Sequence, residues 1–430
     1  MAPPGGNPRA AALKIVRRLV DAGHVAYFAG GCVRDALLGE QPKDYDIATD
    51  ARPEQVRKLF RHAQLVGEAF GVVLVHLDGW YVEVATFRTE WGYSDGRRPY
   101  QVTFTDAQHD AQRRDFTING VFENPPATTP EQRIIDYVGG RADLAAGVVR
   151  AIGQPEARFG EDYLRMLRAV RFAARLGFEI EPITFNAIRA HAPKLAHISR
   201  ERIGQEVLLM FTAAPTAAAR ARAATLMQDT QLDAPTLDEP HTERQPTVLT
   251  RLSHDAHYAT CLVAWLLDRD HAQPGVDIAA LRAFSANAGR TAVTRWRRAL
   301  MLSNDQRDAM SRILTMLPDV FDWASLTLAR RKRLLANDCW AQTWMLAQAV
   351  AAARDVQALP AAIGEQVAQL LAGEVAPPPL VTGDDLLALG AKAGPLFGRL
   401  LEQAYDAQLE GELATRDEAL AWLKGRLDAL

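Results

Sequence analysis

The sequence predicts an α+β protein, with a small mixed or antiparallel sheet near the N-terminus followed by helices to the C-terminus. Three observations carry this reading. From Tyr27 to about Val138, short β-rich runs alternate with helical ones. Within that stretch Asp78-Gly79, a dipeptide suited to a tight type I′ turn, separates two strand-like runs. After about Ala142 strand signals nearly stop, and Ala, Leu and Arg dominate with apolar residues at helical spacing.

In chain order, MAPPGGNPRA lacks the apolar core of a signal peptide and reads as a disordered lead, which shares residues 1–22 with a first helix. Residues 23–141 hold YFAGG as strand, CVRDALLG as helix, DYDIAT as strand, and GVVLVHL and WYVEVATF as an antiparallel pair. The Gly139-Gly140 turn, the Pro/Asp/Thr-rich stretch 229–247 and the GEVAPPPLVTG loop at 373–383 punctuate the helical remainder. They divide it into 142–228, 248–372 and 384–430, with no internal repeat.

Composition narrows the function classes. With 430 residues, 48% hydrophobic and 23% charged, the chain is an ordinary globular one with room for several domains. A net charge of -3 excludes a globally basic nucleic-acid binder, so contact with RNA must come from local patches. Cys32, Cys261 and Cys339 are far apart and odd in number, which suggests neither a disulfide framework nor a zinc site and fits a reducing cytoplasm. No apolar run approaches the ~20 residues that span a bilayer.

Asp44 and Asp46 are two apart in a predicted strand, so both carboxylates leave the same face. Such a pair is comfortable when a divalent cation neutralises it, and Mg²⁺ takes carboxylate oxygens together with nucleotide phosphates. Glu83 lies in an otherwise largely apolar strand, and two readings stand. It is either paired with a nearby Arg or a third carboxylate at the metal site, helping to deprotonate an attacking hydroxyl.

Gly30 and Gly31 follow a strand and precede a helical run, an arrangement whose bare N–H groups accept an anion, and Arg34 could clamp a triphosphate oxygen. In EDYLRMLRAVRFAARLGF, read as one helix, Asp162, Arg165, Arg168 and Arg171 recur every three residues. They form either a solvated salt-bridge ladder or a base reader. In the second case Asp162 accepts from an exocyclic amine, which cytosine and adenine both carry, while Arg165 donates to ring nitrogens or carbonyls. That pair would select CTP and ATP without a template, leaving Arg168 and Arg171 for phosphate contact or bracing.

GGCVRD, DYDIAT, RRDFTING, DYVGGRADL with RAIG, EDYLRMLRAVRF and SRERIGQE, in this order, resemble the successive motifs of the bacterial and eukaryotic class of tRNA CCA-adding enzymes, within the polymerase β superfamily. The resemblance covers roughly residues 23–211; bacterial poly(A) polymerases and enzymes adding only CC or only A share these motifs. It implies a polymerase β-like head at 23–141, a neck at 142–228 whose helix reads the incoming base, and a helical body and tail that hold tRNA. It implies metal binding by Asp44 and Asp46, nucleotide binding by Gly31, Arg34 and Arg114, and base selection by the helix carrying Asp162, Arg165, Arg168 and Arg171. Glu83, in a looser motif, corresponds to the third carboxylate; Asp115 and Asn119 are read as structural.

The polar stretch between Phe87 and His109 occupies the place of the family's flexible loop, and Tyr163 stands where a smaller residue is commoner. Beyond about Phe211 the resemblance fades. RWRRAL around Trp296 and ARRKR at 329–333 are candidate phosphate contacts, or solvated helix faces. The expected activity is addition of C, C and A to the tRNA 3′ end from CTP and ATP with Mg²⁺. The alternatives are poly(A) synthesis, partial addition, or a non-catalytic RNA-binding protein; monomer and homodimer both stay open.

Overall fold

The computed structural model describes residues 7–66, 71–93, 99–270, 277–356, 358–391 and 394–428. The chain forms two compact units, one drawn from Met1–Pro215 with Arg222–Glu243 and the other from Thr216–Ala221 with Arg244–Leu430. Of the disordered lead expected over the first ten residues, 1–6 lie outside the described residues, while Pro8, Arg9 and Ala10 already belong to the first helix, which the Asn7 cap starts earlier than expected.

The first unit is α+β. Helix α1 (Pro8–Asp21) starts where the Asn7 side chain accepts from the Arg9 N–H at 2.9 Å. Its strands are β1 (Ala26–Ala29), β2 (Asp46–Thr49), β3 (Ala63–Leu65), β4 (Val72–Leu77), β5 (Trp80–Thr86), β6 (Arg88–Tyr93), β7 (Pro99–Phe104), β8 (Val121–Glu123), β9 (Ile134–Asp136), and the short β10 (Val148–Val149) and β11 (Glu179–Ile180). Seven of them make one sheet in the order β3-β4-β5-β2-β1-β8-β9. The β2–β5 pair is parallel and its other pairs are antiparallel. Asp78 (φ 51°) and Gly79 (φ 82°) are both left-handed, as a type I′ turn between β4 and β5 requires. Strands β6 and β7 form a separate hairpin on the stretch expected as a flexible loop, whose residues 94–98 lie outside those described.

Period-two alternation gives the sheet two different faces. One presents Phe28, Ile47, Val73, Val75, Val82 and Val84 to α1 and α3 (Pro53–Leu59), burying Ile15, Val16, Val56 and Phe60. The other presents Ala29, Ala48 and Phe122 to Ala107 and Ala111 of α4 (Ala107–Gln112). Helix α2 (Gly31–Leu37) follows β1 directly. The helices α5 (Pro130–Arg133), α6 (Gly140–Ala146), α7 (Pro155–Glu161), α8 (Leu164–Leu176), α9 (Pro182–His191) and α10 (Arg200–Thr212) follow. The parallel β10–β11 pair is the one place past Ala142 where, among the described residues, strand persists against the all-helical expectation.

The described part of the second unit is helical, from Arg244 through the helix ending at Asp428. Trp265, Trp296 and Trp323 are fully buried in it, and a separate small core gathers Val381, Leu386, Leu400, Ala404 and Leu423. Among the described residues no helix is long and apolar enough to cross a membrane.

Candidate active site

The first unit contains a cavity of about 520 Å³ lined by seven arginines (Arg34, Arg113, Arg114, Arg165, Arg168, Arg171 and Arg175) against three aspartates (Asp46, Asp115 and Asp162). With so many guanidinium donors on its lining, held in place by Asp35, Asp110, Glu161 and Glu206 behind them, the cavity suits a small polyanion.

Its floor comes from the junction of β1 and α2. Gly30 takes φ 72°, a conformation glycine adopts freely, and a Cβ there would stand 3.1 Å from Arg114 Nη1. The buried Arg34 donates through Nε to Asp35 at 2.8 Å and through Nη1 to the Asn119 side chain at 2.8 Å. Asp110, buried beneath the cavity, accepts from Arg113 at 2.6 Å and from Arg114 at 3.1 Å. Burial alone would push the Asp110 carboxyl up, but the two guanidiniums outweigh it and hold the group below the ordinary carboxylate range. Arg114 also donates to the Asn119 carbonyl at 3.2 Å, so its head is fixed from two sides.

Helix α8 supplies the wall, and here the structure corrects the sequence reading. The run expected as one helix breaks at Asp162, which is extended (φ -156°, ψ 104°) between α7 and α8. Its side chain accepts from the Leu164 N–H at 3.0 Å, the local bond that makes Asp favour helix starts over helix interiors. Among the described residues no ion pair joins Asp162 to Arg165, so the helical salt-bridge ladder does not form there. The Asp162 carboxylate takes both ends of the Arg202 guanidinium, at 3.2 and 2.6 Å, while Arg165 bonds Glu161 at 2.5 Å and the Arg158 carbonyl at 3.0 Å. Arg168 and Arg171 hold Asp115 at 2.9 Å and Glu206 at 2.7 Å respectively. The Asp115 carboxyl, driven up by burial, is carried down to about 2 by Arg168, the Asn119 side chain and Arg165. The Phe172 ring carries three guanidiniums, those of Arg171, Arg34 and Arg168, at 4.5, 5.1 and 5.3 Å from its centroid.

Asp46 opens β2 and reaches the cavity, while Asp44 lies just ahead of the strand and outside the cavity lining. Tyr45 between them is buried and both aspartates are exposed, as alternation requires. Carrying the β2–β5 register one step back from Ile47↔Val84 places Asp46 beside Glu83. Glu83 is exposed rather than buried, and among the described residues no Arg or Lys pairs with it. Asp46 is open towards the cavity and crowded by protein behind. That desolvation, with Glu83 and Asp44 adding to it and Arg114 opposing, raises its carboxyl to about 6. Carboxylates gathered this way fit a divalent cation. Among the described residues no three acidic, His or Cys side chains gather closely enough to hold a metal by themselves.

The cavity thus assembles Gly30, Gly31, Arg34, Asp46, Arg114, Asp162, Arg165, Arg168 and Arg171, while Asp44 and Glu83, neighbours of Asp46, are not among its lining residues. The sequence reading did not single out Arg113, Arg175, Phe172, Glu161, Arg202 or Glu206. SRERIGQE carries the last two, but no local periodicity tells that α10 packs against α8. The ARRKR run is occupied within its own unit: Arg330 by Asp319, Arg331 by the Trp323 carbonyl, Lys332 by the Leu409 carbonyl and Arg333 by Asp406.

Three family models match in order: the poly A polymerase head domain at 26–150, a probable RNA-binding region of polymerase A at 177–233, and a putative domain 2 of tRNA nucleotidyltransferase at 277–423. The CCA-adding enzyme of Bacillus subtilis is 46% identical over 44% of the chain and 47% of its own length. Poly(A) polymerase I of Escherichia coli O157:H7 is 45% identical over 47% and 45%. The chain thus spans about half the length of these curated relatives. The CCA-adding enzyme of Limosilactobacillus fermentum is 33% identical over 96% of both chains. The solved CCA-adding enzyme of Bacillus stearothermophilus, in complex with CTP, shares 32% identity over 99% of this chain and 98% of its own, with a TM-score of 0.78. A match of that identity along nearly the whole length places the chain in the CCA-adding enzyme family, whose head and RNA-binding regions are shared with the bacterial poly(A) polymerases.

Proposed function

We propose that this protein adds C, C and A to the 3′ end of tRNA in the cytoplasm, using CTP and ATP and releasing pyrophosphate. The observation that carries the proposal is one cavity whose lining joins an arginine-rich wall to Asp46, Asp162 and Arg165. Arg34, Arg114, Arg168 and Arg171 hold the triphosphate, drawn by charge and by guanidinium donors already fixed in place. Asp44 and Asp46 would hold Mg²⁺, which would supply charge neutralisation for the reacting phosphate when bound. Glu83, unpaired and beside Asp46, accepts the proton of the attacking hydroxyl. Asp162 and Arg165 read the Watson–Crick edge of the incoming base with the acceptor site and guanidinium donors left over by Arg202 and Glu161, which brace them.

In this reading residues 23–141 are the head, 142–228 the neck, 248–372 the body and 384–430 the tail. The CCA-adding enzyme of Limosilactobacillus fermentum and the solved one of Bacillus stearothermophilus match nearly the whole chain, whereas the Bacillus subtilis CCA-adding enzyme and the poly(A) polymerase match about half of it; the full-length matches support CCA addition. The test supplies CTP and ATP, singly and together, to tRNA transcripts ending before CCA, after C and after CC. Extension that stops at CCA on all three is expected. Unlimited A-tailing establishes the poly(A) alternative, and addition of only CC or only A establishes a partial enzyme.

A further inference from the structure

The face of the sheet that carries Asp46 and Glu83 continues, beyond these carboxylates, into a row of exposed rings. Tyr81 is two residues before Glu83 on β5, on the same face, and is 64% exposed. His76 stands opposite Tyr81 in the β4–β5 register, its ring centroid 4.7 Å away and tilted by 33°. His62, just before β3, presents its ring at 6.5 Å from His76. Both histidines are exposed. Neighbouring residues Val75, Val82 and Val84 point into the core on the other face, so alternation fixes these rings outward. A cross-strand pair such as His76 and Tyr81 supports the hairpin, but its outer ring faces and that of His62, leading from the carboxylates, are unused by the site described above.

Geometry assigns them a ligand. In an in-line displacement the attacking oxygen and the leaving pyrophosphate lie on opposite sides of the reacting phosphorus. The arginine cavity occupies one side of Asp46, so a triphosphate held there sends its leaving group towards the arginines. The attacking 3′-hydroxyl must then arrive from the other side of the carboxylates. Tyr81 is two residues from Glu83 on the same face of β5, so the ring row begins beside the carboxylates, where the attacking RNA end must come in. Exposed rings at short intervals suit unpaired bases, because every base offers a face for stacking whatever its sequence.

We propose that Tyr81, His76 and His62 form a stacking platform for the unpaired 3′-terminal bases of the acceptor RNA, delivering its end to Asp46 and Glu83. The inference rests on the reading of the cavity as the nucleotide site, and it is testable apart from it.

The probe is an RNA hairpin with a four-base single-stranded 3′ overhang carrying 2-aminopurine at its penultimate position, titrated with full-length protein in the absence of nucleotide. Wild-type protein is expected to bind it with a fluorescence change from stacking. Tyr81→Thr and His76→Thr keep β-branched strand formers on an exposed face, so the fold is retained. Each is expected to weaken binding about 5- to 100-fold, the range of a lost base–aromatic stack, with Tyr81→Trp restoring it. In steady-state extension the same variants raise KM for RNA by a similar factor and leave KM for CTP within about twofold. Unchanged RNA affinity and RNA KM in the Tyr81→Thr/His76→Thr double variant overturns the platform. A wild-type protein that stacks the probe yet transfers nothing upholds the platform and strikes the reading of the cavity instead.

Discussion

Asp162 and Arg202 meet through two hydrogen bonds, at 3.2 and 2.6 Å, across the space between α8 and α10. The residue expected to read the base is thus braced by a helix that starts nearly forty residues later. A bidentate partner fixes the plane of a carboxylate, and so fixes which oxygen lone pairs remain for an exocyclic amine. Arg202→Met, which keeps the stem and removes the fork, is expected to lower the preference for CTP over UTP about tenfold in kcat/KM. The rate with CTP should change less. Competition assays with mixed nucleotides measure this, and an unchanged CTP:UTP ratio would show that Asp162 is oriented by other groups.

Asp115 makes stability depend on pH. Its folded value near 2 lies below the ordinary carboxylate value, so the unfolded chain binds more protons between roughly pH 4 and 2. The contribution, of order 2–3 kcal/mol, is fully present above about pH 4 and disappears as pH falls through 2. Asp115→Asn should lose it at neutral pH and flatten the acid limb of a denaturant-unfolding series.

Asp268, in the other unit, has the opposite sign. It accepts from the Val248 and Leu249 N–H groups at 2.8 and 2.9 Å, yet burial raises its carboxyl to about 6. The folded chain then holds the extra proton, so this group's contribution falls as pH rises from about 4 through 6. Asp268→Asn should remove that slope; an identical pH profile would mean the carboxylate is ionised throughout.

Gly140 tests packing near the site. A Cβ there would stand 2.2 Å from the Thr117 carbonyl oxygen and 2.5 Å from Val121 Cγ2, neither able to move without shifting the chain beside Asn119. Gly140→Ala is expected to destabilise the first unit by about 2–4 kcal/mol. Gly139→Ala, with open space around it, should cost less and only through its left-handed φ of 79°.

What the sequence revealed and what it hid have physical causes. Alternation made the β4–β5 hairpin legible, because Val73, Val75, Val82 and Val84 all serve one core and Asp78-Gly79 fits one turn. The same alternation placed Asp44, Asp46 and Glu83 outward. The break at Asp162 was hidden because helix periodicity on both sides runs through it, and a side-chain bond to the Leu164 N–H decides locally against it. The pairing of Asp162 with Arg202 and of Arg171 with Glu206 depends on packing between α8 and α10, which leaves no mark on spacing. Residues 329–333 looked available for phosphate in sequence, and folding commits four of those side chains to partners within their own unit.

Asp46 is proposed to act in chemistry beside a cavity that binds nucleotide by its arginines. Asp46→Asn is nearly isosteric and removes a charge crowded by Glu83 and Asp44, so the metal-free protein should fold at least as stably as the wild type. The decisive measurement is single-turnover extension of a tRNA transcript lacking CCA, with CTP, ATP and Mg²⁺, alongside equilibrium binding of CTP without metal. Asp46→Asn should bind CTP within about threefold of wild type and lose extension by about 10³-fold or more, while wild type adds three nucleotides and stops. Extension by Asp46→Asn at a rate near wild type would contradict the account.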